Sequence, residues 1–173
     1  YIGMDHFALP DDELISAQEN GTLQRNFQGY SSHTHCDLIG LGVSAISQVG
    51  ELYCQNHSDI SRYQQSLDNA QLATSRGLLC NDDDRVRRAV IQQLICQFRV
   101  DFASIEDQFN LKFVEYFAAI WPQLKQMHQD GLIQLNAQSL VIRPAGRLLV
   151  RSVCMLFDHY LSAQDNSPFS PII

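Results

Sequence analysis

Asn81-Asp82-Asp83-Asp84-Arg85-Val86-Arg87-Arg88-Ala89-Val90-Ile91-Gln92-Gln93-Leu94-Ile95-Cys96-Gln97-Phe98 is the stretch that decides the fold. Asn81 is a residue type that caps unpaired backbone N–H groups, and three aspartates follow at the positive end of the helix dipole. Val86, Ala89, Val90, Ile91, Leu94, Ile95 and Phe98 cover a broad face, which predicts a helix buried on more than one side. Downstream, a short helix is predicted near Ser104–Phe109. A third helix begins near Leu111 and turns Phe113, Phe117 and Ile120 inward. Pro122 lacks an N–H and must end or kink it; the pattern resumes to Gln129 and stops at Asp130-Gly131. Leu132–Leu135 and Ser139–Ile142 read as the arms of a β-hairpin across Asn136-Ala137-Gln138. Pro144-Ala145-Gly146-Arg147 opens a last helix to Leu161, and the polar, Pro-rich tail from Ser162 reads as frayed.

Upstream of Asn81 the pattern changes. Tyr1–Ala8 reads as a short strand, and Pro10-Asp11-Asp12-Glu13 as the start of a helix running to Asn20 and stopped by Gly21. Asn26–His35 is polar and loop-like. Asp37–Ile46 reads as a buried strand, apolar on both faces, as in a strand covered on both sides. Glu51–Cys54 is one more short strand, Ser58–Asp68 a polar helix, and Asn69–Leu79 a connector. The resulting division is an α/β segment at 1–56, a linking helix and connector at 57–80, and a mostly helical domain with a hairpin at 81–173. The last of these approaches a winged-helix layout.

The chain has 173 residues, enough for about one domain with its own core. No apolar run approaches the ~20 residues of a membrane helix, and Tyr1–Asp5 lacks the basic start of a signal peptide. A net charge of −7 argues against bulk phosphate binding. A winged-helix DNA reader is nevertheless the competing function. Its recognition helix would be Leu111–Gln129, which carries only Lys112 and Lys125, contains Glu115 and is broken by Pro122. Of the 12 basic residues ten are Arg, the better fork for carboxylates. The five cysteines form no C-x-x-C pair, which excludes a zinc ribbon and a thioredoxin-like site; Cys96 and Cys154 read as small hydrophobes. A reducing cytoplasm is the simplest compartment.

Candidate chemistry is sparse. His33-Thr34-His35-Cys36 is the one dense cluster of metal-type ligands, with Asp37 or His6 as the fourth donor; the alternative is a pair of solvated loop histidines. Asp5-His6 forms either an acid–base pair or a packed, hydrogen-bonded histidine. Phe27-Gln28-Gly29-Tyr30 offers an aromatic face, an amide and a flexible backbone, which suit a planar ligand. Gly40-x-Gly42 lacks the third glycine and the following helix of a phosphate loop. Arg147 and Arg151, spaced i, i+4, and Arg85 and Arg88, spaced i, i+3, are candidate carboxylate clamps. Pairing with Asp82–Asp84 and Asp158 is the equal alternative.

Gly3-Met4-Asp5-His6-Phe7-Ala8, Pro10–Leu14, Arg25-Asn26-Phe27-Gln28-Gly29-Tyr30, Asp37–Ser47, Arg87-Arg88, Asp130-Gly131-Leu132, Gly146–Leu149, Cys154-Met155 and Phe157-Asp158 occur in that order. Together they closely resemble the C-terminal part of the bacterial oxygen-independent coproporphyrinogen III oxidases, also called coproporphyrinogen III dehydrogenases. The resemblance spans essentially the whole chain, and the ordered set is highly specific. It implies membership of the radical S-adenosylmethionine (SAM) enzymes of haem biosynthesis. Their reaction oxidatively decarboxylates two propionates of a tetrapyrrole to vinyl groups without oxygen. A 4Fe-4S cluster reduces SAM, and the resulting 5′-deoxyadenosyl radical takes a hydrogen from the propionate. The family holds two SAM molecules at the mouth of an incomplete (β/α) barrel, beside a mostly helical C-terminal domain.

The resemblance makes residues 1–56 the last strands and helix of that barrel. The family's C-x-x-x-C-x-x-C motif is absent from this chain. The chain by itself is therefore expected to hold no cluster, metal or other cofactor and to be inactive, with no catalytic residue of its own. Ile46 matches the position whose backbone contacts the second SAM, and Phe27 and Gln28 match a Phe-Gln pair lining that cofactor. Independently of the resemblance, Arg147, Arg151, Arg85 and Arg88 are expected to meet the carboxylates of a tetracarboxylate. No nucleic-acid or membrane partner is expected. Self-association through residues 1–56, as a two-fold dimer, is expected from the apolar strand at Asp37–Ile46.

Overall fold

Helix α3 (Asp82–Gln97) starts as the sequence predicts, in the computed structural model that describes residues 1–34 and 36–161. Asn81 Oδ1 accepts from the Asp84 N–H at 2.9 Å, and Asp84 Oδ2 accepts from the Asn81 N–H at 2.9 Å. This reciprocal cap, with Asp in the usual Glu role, satisfies two otherwise unpaired donors. Val86, Val90 and Leu94 of α3 are buried in the main core. Around them follow β6 (Arg99–Asp101), α4 (Phe102–Phe109), α5 (Phe113–Tyr116), a 3₁₀ turn (Ala118–Ile120), α6 (Trp121–Gln129), β7 (Ile133–Leu135) and β8 (Ser139–Ile142). The sheet is antiparallel in the order β6-β8-β7, so the predicted hairpin β7–β8 gains an edge strand that the sequence did not reveal. Phe113 and Phe117 are fully packed, and Phe102 stacks on Phe113 with centroids 4.2 Å apart. Pro122 lies in the first turn of α6, where its missing N–H costs nothing; it starts a helix and does not kink one.

The predicted helix from Pro144 to Leu161 is corrected. Pro144–Leu149 is a 3₁₀ turn, and only Val150–Leu156 is α-helical, as α7. The Arg143 N–H donates to the Leu132 carbonyl at 2.9 Å, and the backbone at Gly146 then passes so close to that carbonyl that a Cβ has no room. The tight turn is set by that approach. The predicted frayed tail from Ser162 lies outside the described residues.

Helix α1 (Glu13–Glu19) takes its cap from Asp12, whose Oδ1 accepts from the Leu14 N–H at 2.8 Å, and it stops before Gly21 at φ +72°. Tyr1–Ala8 is not a strand: a single bridge joins Gly3 to His6 around Met4 at φ +50°. The predicted loop at Asn26–His35 contains most of a hairpin, β1 (Gln24–Asn26) and β2 (Gly29–Ser31).

These elements complete the end of α3. The last carbonyls of a helix have no partner within it. Here the Leu94 carbonyl accepts from the Phe98 N–H at 3.0 Å, the Ile95 carbonyl from the Tyr30 hydroxyl at 3.1 Å, and the Cys96 carbonyl from Gln18 Nε2 at 2.7 Å. Ile2, Ala17, Leu23 and Cys96 form a small second core. Residues 1–34 and the chain from Val86 onward are thus one compact unit, and His35–Arg85 is the other. The break expected at 57–80 is not where these units divide.

The second unit contains β3 (Ile46–Val49), β4 (Leu52–Asn56), α2 (Ile60–Asp68) and β5 (Thr74–Leu79), with an antiparallel sheet in the order β3-β4-β5. The strand near Glu51–Cys54 and the helix near Ser58–Asp68 match expectation; the connector at Asn69–Leu79 turns out to contain β5. Asp37–Ile46 is not a strand buried on both faces. Only Leu38 bridges to Gln48, Gly42 and Ser44 have positive φ, and Ile39 and Leu41 are 63% and 88% exposed.

Candidate functional site

Phe27 and Gln28 occupy the tip of the β1–β2 hairpin, between the paired residues Asn26 and Gly29. Asn26 Oδ1 accepts from the Gln28 N–H at 2.8 Å, an Asx-type turn that fixes the backbone at the tip. Phe27 and Gln28 avoid positive φ because Gly29, at φ +133°, reverses the chain for them. Phe27 is 57% exposed and Gln28 is also exposed. An outward aromatic ring beside a side-chain amide, on a rigid turn, is able to stack on a planar base and hydrogen-bond its edge. Arg25 lies with its guanidinium 4.8 Å above the Tyr30 ring. Burial pushes the Tyr30 hydroxyl up to about 12, and the Arg25 charge opposes that shift in part.

Ile46 opens β3, half-buried. Its carbonyl lies under Gly40 so closely that a Cβ there would come within 2.6 Å of it. The irregular segment above is held by hydrogen bonds. The Gly40 N–H donates to Ser47 Oγ at 3.0 Å, Asn56 Nδ2 donates to the Gly42 carbonyl at 2.9 Å, and the Gly42 N–H donates to the Tyr63 hydroxyl at 3.2 Å. This wiring is the physical reason for the missing strand: Gly40 serves close backbone approach. Ile46 belongs to the second compact unit, Phe27 and Gln28 to the first.

The metal-ligand reading of residues 33–37 rests partly on His35. Among the described residues no cluster of His, Cys, Asp and Glu could hold a metal ion. His33 is exposed, Asp37 Oδ1 is occupied by the Gly50 N–H at 2.8 Å, and His35 lies outside the described residues. His6 Nδ1 sits 2.8 Å from Asp5 Oδ1, a close contact without hydrogen-bond alignment, and its ring meets Tyr30 edge-on. Backbone hydrogen bonding, then the His6 contact, hold the Asp5 carboxyl below its ordinary value. Cys96 and Cys154 are buried and their thiols are pushed up to about 12 by burial, the behaviour of packed hydrophobes and the opposite of cluster ligands. The described residues therefore do not fit an iron–sulfur cluster.

The arginine clamps are rearranged. Arg147 lies in the 3₁₀ turn and Arg151 in α7, so their directions differ by roughly 80°, against about 40° in one continuous helix. The Arg147 guanidinium stacks 5.0 Å over Phe98. Arg85 pairs with Asp82 at 3.2 Å, as the alternative reading anticipated. Arg88 is half-buried on α3, and Arg151 is exposed. The candidate recognition helix Leu111–Gln129 is three short pieces, and its Lys112 is paired with Glu106 at 3.2 Å. No described helix is long and apolar enough to cross a membrane.

Sequence reasoning missed Gln18 and Gln92. Gln18 Nε2 also donates to the Ile2 carbonyl at 2.7 Å, and the Gln92 carboxamide pairs with the backbone of Arg25. The available signal was their place among apolar neighbours: Gln18 follows Ala17, and Gln92 follows Ile91 on the broad face of α3.

Residues 81–149 match the family model described as the HemN C-terminal domain. The whole chain is 66% identical to an oxygen-independent coproporphyrinogen III oxidase from Pseudomonas aeruginosa, over 173 residues and 38% of that relative's length. The relative of the same description from Escherichia coli is 48% identical over 161 residues, 93% of this chain and 35% of its own length. A solved structure described as coproporphyrinogen III oxidase (HemN) from Escherichia coli, a radical SAM enzyme, superposes with a TM-score of 0.88 at 47% identity. That match covers 92% of this chain and 37% of the other. The chain thus spans little more than a third of the length of these relatives. With identity running the full length of the sequence and the fold shared, the chain is closely similar to the C-terminal part of the oxygen-independent coproporphyrinogen III oxidases, and residues 81–149 match the HemN C-terminal domain.

Proposed function

We propose that this chain serves a radical SAM enzyme that oxidatively decarboxylates two propionates of coproporphyrinogen III to vinyls, giving protoporphyrinogen IX without oxygen, in the cytoplasm. The observation that carries the reading is the 66% identity across all 173 residues with a relative of that description. The sequence lacks the family's cysteine motif and the described residues hold no set of His, Cys, Asp and Glu able to bind a metal ion, so no residue of this stretch is assigned to the 4Fe-4S cluster. SAM, when bound, supplies the hydrogen-abstracting chemistry. The role of this chain is to line its second site, with Phe27 stacking, Gln28 hydrogen-bonding and Ile46 contributing backbone. Residues 1–56 stand for the end of the family's barrel, although their own strands pair antiparallel. The order α3-β6-α4-α5-α6-β7-β8 with β8 central supports a winged-helix-like description of 81–161.

A tetrapyrrole with four carboxylates suits arginine forks. Of Arg147, Arg151, Arg85 and Arg88, Arg151 is the best placed, because it is exposed, whereas Arg147 stacks on Phe98 and Arg85 is already paired. Self-association through 1–56 would use its exposed Ile39, Leu41 and Val49, and light scattering reads it directly.

The deciding experiment is Gln28→Ala in a protein of the relatives' full length that carries this stretch. The KM for SAM is expected to rise while the cluster absorbance stays constant, with a smaller effect from Ile46→Ala. An unchanged KM for SAM in Gln28→Ala would overturn the cofactor assignment.

A further inference from the structure

We propose that Gln92 is a positioning residue for the Phe27–Gln28 turn, its carboxamide acting as a one-residue third strand that sets the register of the β1–β2 hairpin. The functional half of this inference rests on the reading of Phe27 and Gln28 as cofactor contacts.

Gln92 Nε2 donates to the Arg25 carbonyl at 2.6 Å, and Gln92 Oε1 accepts from the Arg25 N–H at 3.1 Å. Arg25 is opposite Tyr30 in the hairpin. In an antiparallel pair, alternate residues turn both backbone groups away from the partner strand. At Arg25 that outward pair meets the one side chain type, apart from Asn, that presents a donor and an acceptor with peptide spacing. The orientation of the carboxamide is fixed by its partners, because a flip would set its NH₂ against an N–H and its oxygen against a carbonyl. The Cys96 thiol, 3.6 Å away, is a further donor to the same Oε1. One turn along α3, the Ile95 carbonyl accepts from the Tyr30 hydroxyl at 3.1 Å. Each strand of the hairpin is therefore clasped by α3, β1 through Gln92 and β2 through Tyr30. The tip begins two residues from Arg25. Its backbone is already stiffened by Asn26, so the clasp at Arg25 sets where Phe27 and Gln28 stand.

Gln93 is the internal control: it is a glutamine on the same helix that reaches Ser104 and not the hairpin. In the 173-residue chain, Gln92→Leu is expected to speed hydrogen exchange of the Arg25 amide about tenfold or more, while the α3 amides of Val90 and Leu94 keep their protection and Gln93→Leu changes neither. In a protein of the relatives' length that carries this stretch, Gln92→Leu is expected to raise the KM for SAM by about tenfold, a scale that small misplacements reach, with the cluster absorbance unchanged. Gln92→Glu keeps the acceptor and loses the donor. It should mimic Gln92→Leu at alkaline pH and recover toward wild type as pH falls and the carboxyl regains a proton to donate. A glutamine that acted only by filling space would show no such recovery. Unchanged Arg25 exchange in Gln92→Leu overturns the clasp. An unchanged KM for SAM in Gln92→Leu, where Gln28→Ala raises it, overturns the positioning role. If Gln28→Ala also leaves KM unchanged, the cofactor reading itself falls, and Arg25 exchange still judges the clasp.

Discussion

From Val86 to Phe157 the chain buries seventeen apolar side chains in one cluster, among them Phe113, Phe117, Leu94, Leu124 and Leu140. From Cys36 to Arg85 the described residues bury three positions, Gly40, Ser47 and Ala73, and leave Ile39, Leu41, Ile60, Leu72 and Leu79 outward. The first region is held by packing, the second by a sheet and by side chains such as Asn56, Tyr63 and Asp37 that tie down irregular backbone. Packed cores resist local change, whereas hydrogen-bonded loops open piecemeal. The Ile46 backbone proposed to meet the cofactor lies in the second kind of structure and is easy to perturb without unfolding the chain, while the hairpin that carries Phe27 and Gln28 is hydrogen-bonded to α3.

The largest expected effect lies in the packed region. Phe113 is fully buried and touches Phe102, Phe117 and Phe157. Phe113→Ala should cost about 3–5 kcal/mol, read as a lower urea midpoint. A cost below about 1 kcal/mol would erase the contrast between the two regions. Next comes alkaline pH. Tyr30, Cys96 and Cys154 all belong to the packed unit, and burial raises each to about 12 from ordinary values of 10 and 9. Between pH 9 and 12 the unfolded chain releases these protons and the folded chain retains them. Stability is therefore full below pH 9 and is lost as pH rises toward 12. Tyr30→Phe should flatten the part of that loss above pH 10, measured by urea midpoints along a pH series.

The same contrast explains what could be read from the sequence. Helices α1 and α3 and the hairpin β7–β8 were legible because acids in a first turn, a cap such as Asn81 and inward apolar spacing act locally. Cys96 and Cys154 were legible as core for the same reason. Asp37–Ile46 misled because an apolar run implies burial only where something covers it, and here Gly40 and Gly42 serve backbone approach. β5 was invisible: all six of its residues are exposed, so no alternation marks it. The β1–β2 hairpin was hidden because Gln24, Arg25 and Asn26 carry no strand pattern, and it is held partly by Gln92, 67 residues away in sequence. Of the candidate site, Phe27, Gln28 and Ile46 came from family resemblance; their spacing alone did not nominate them.

A smaller effect tests the hydrogen-bonded region. Asn56 Nδ2 bridges the Gly40 and Gly42 carbonyls at 3.3 and 2.9 Å. Asn56→Ala should cost roughly 1 kcal/mol and speed amide exchange across residues 40–46, with the exchange of α3 unchanged. Simultaneous loss of protection in α3 would mean that the two regions open together.

The smallest expected change in stability is at Arg85. Its partner Asp82 is almost fully exposed, and their 3.2 Å contact joins two side chains on one helical turn. Such pairs contribute about 0–1 kcal/mol. Arg85→Ala should therefore leave the urea midpoint nearly unmoved, and because Arg85 is already paired, it should change the KM for a tetracarboxylate substrate less than Arg151→Ala does. Both are surface changes with little to lose in packing, so a difference between them in KM reports carboxylate binding and not folding. If Arg85→Ala raises KM more than Arg151→Ala at equal stability, the clamp assignment moves from α7 to the N-terminal turn of α3.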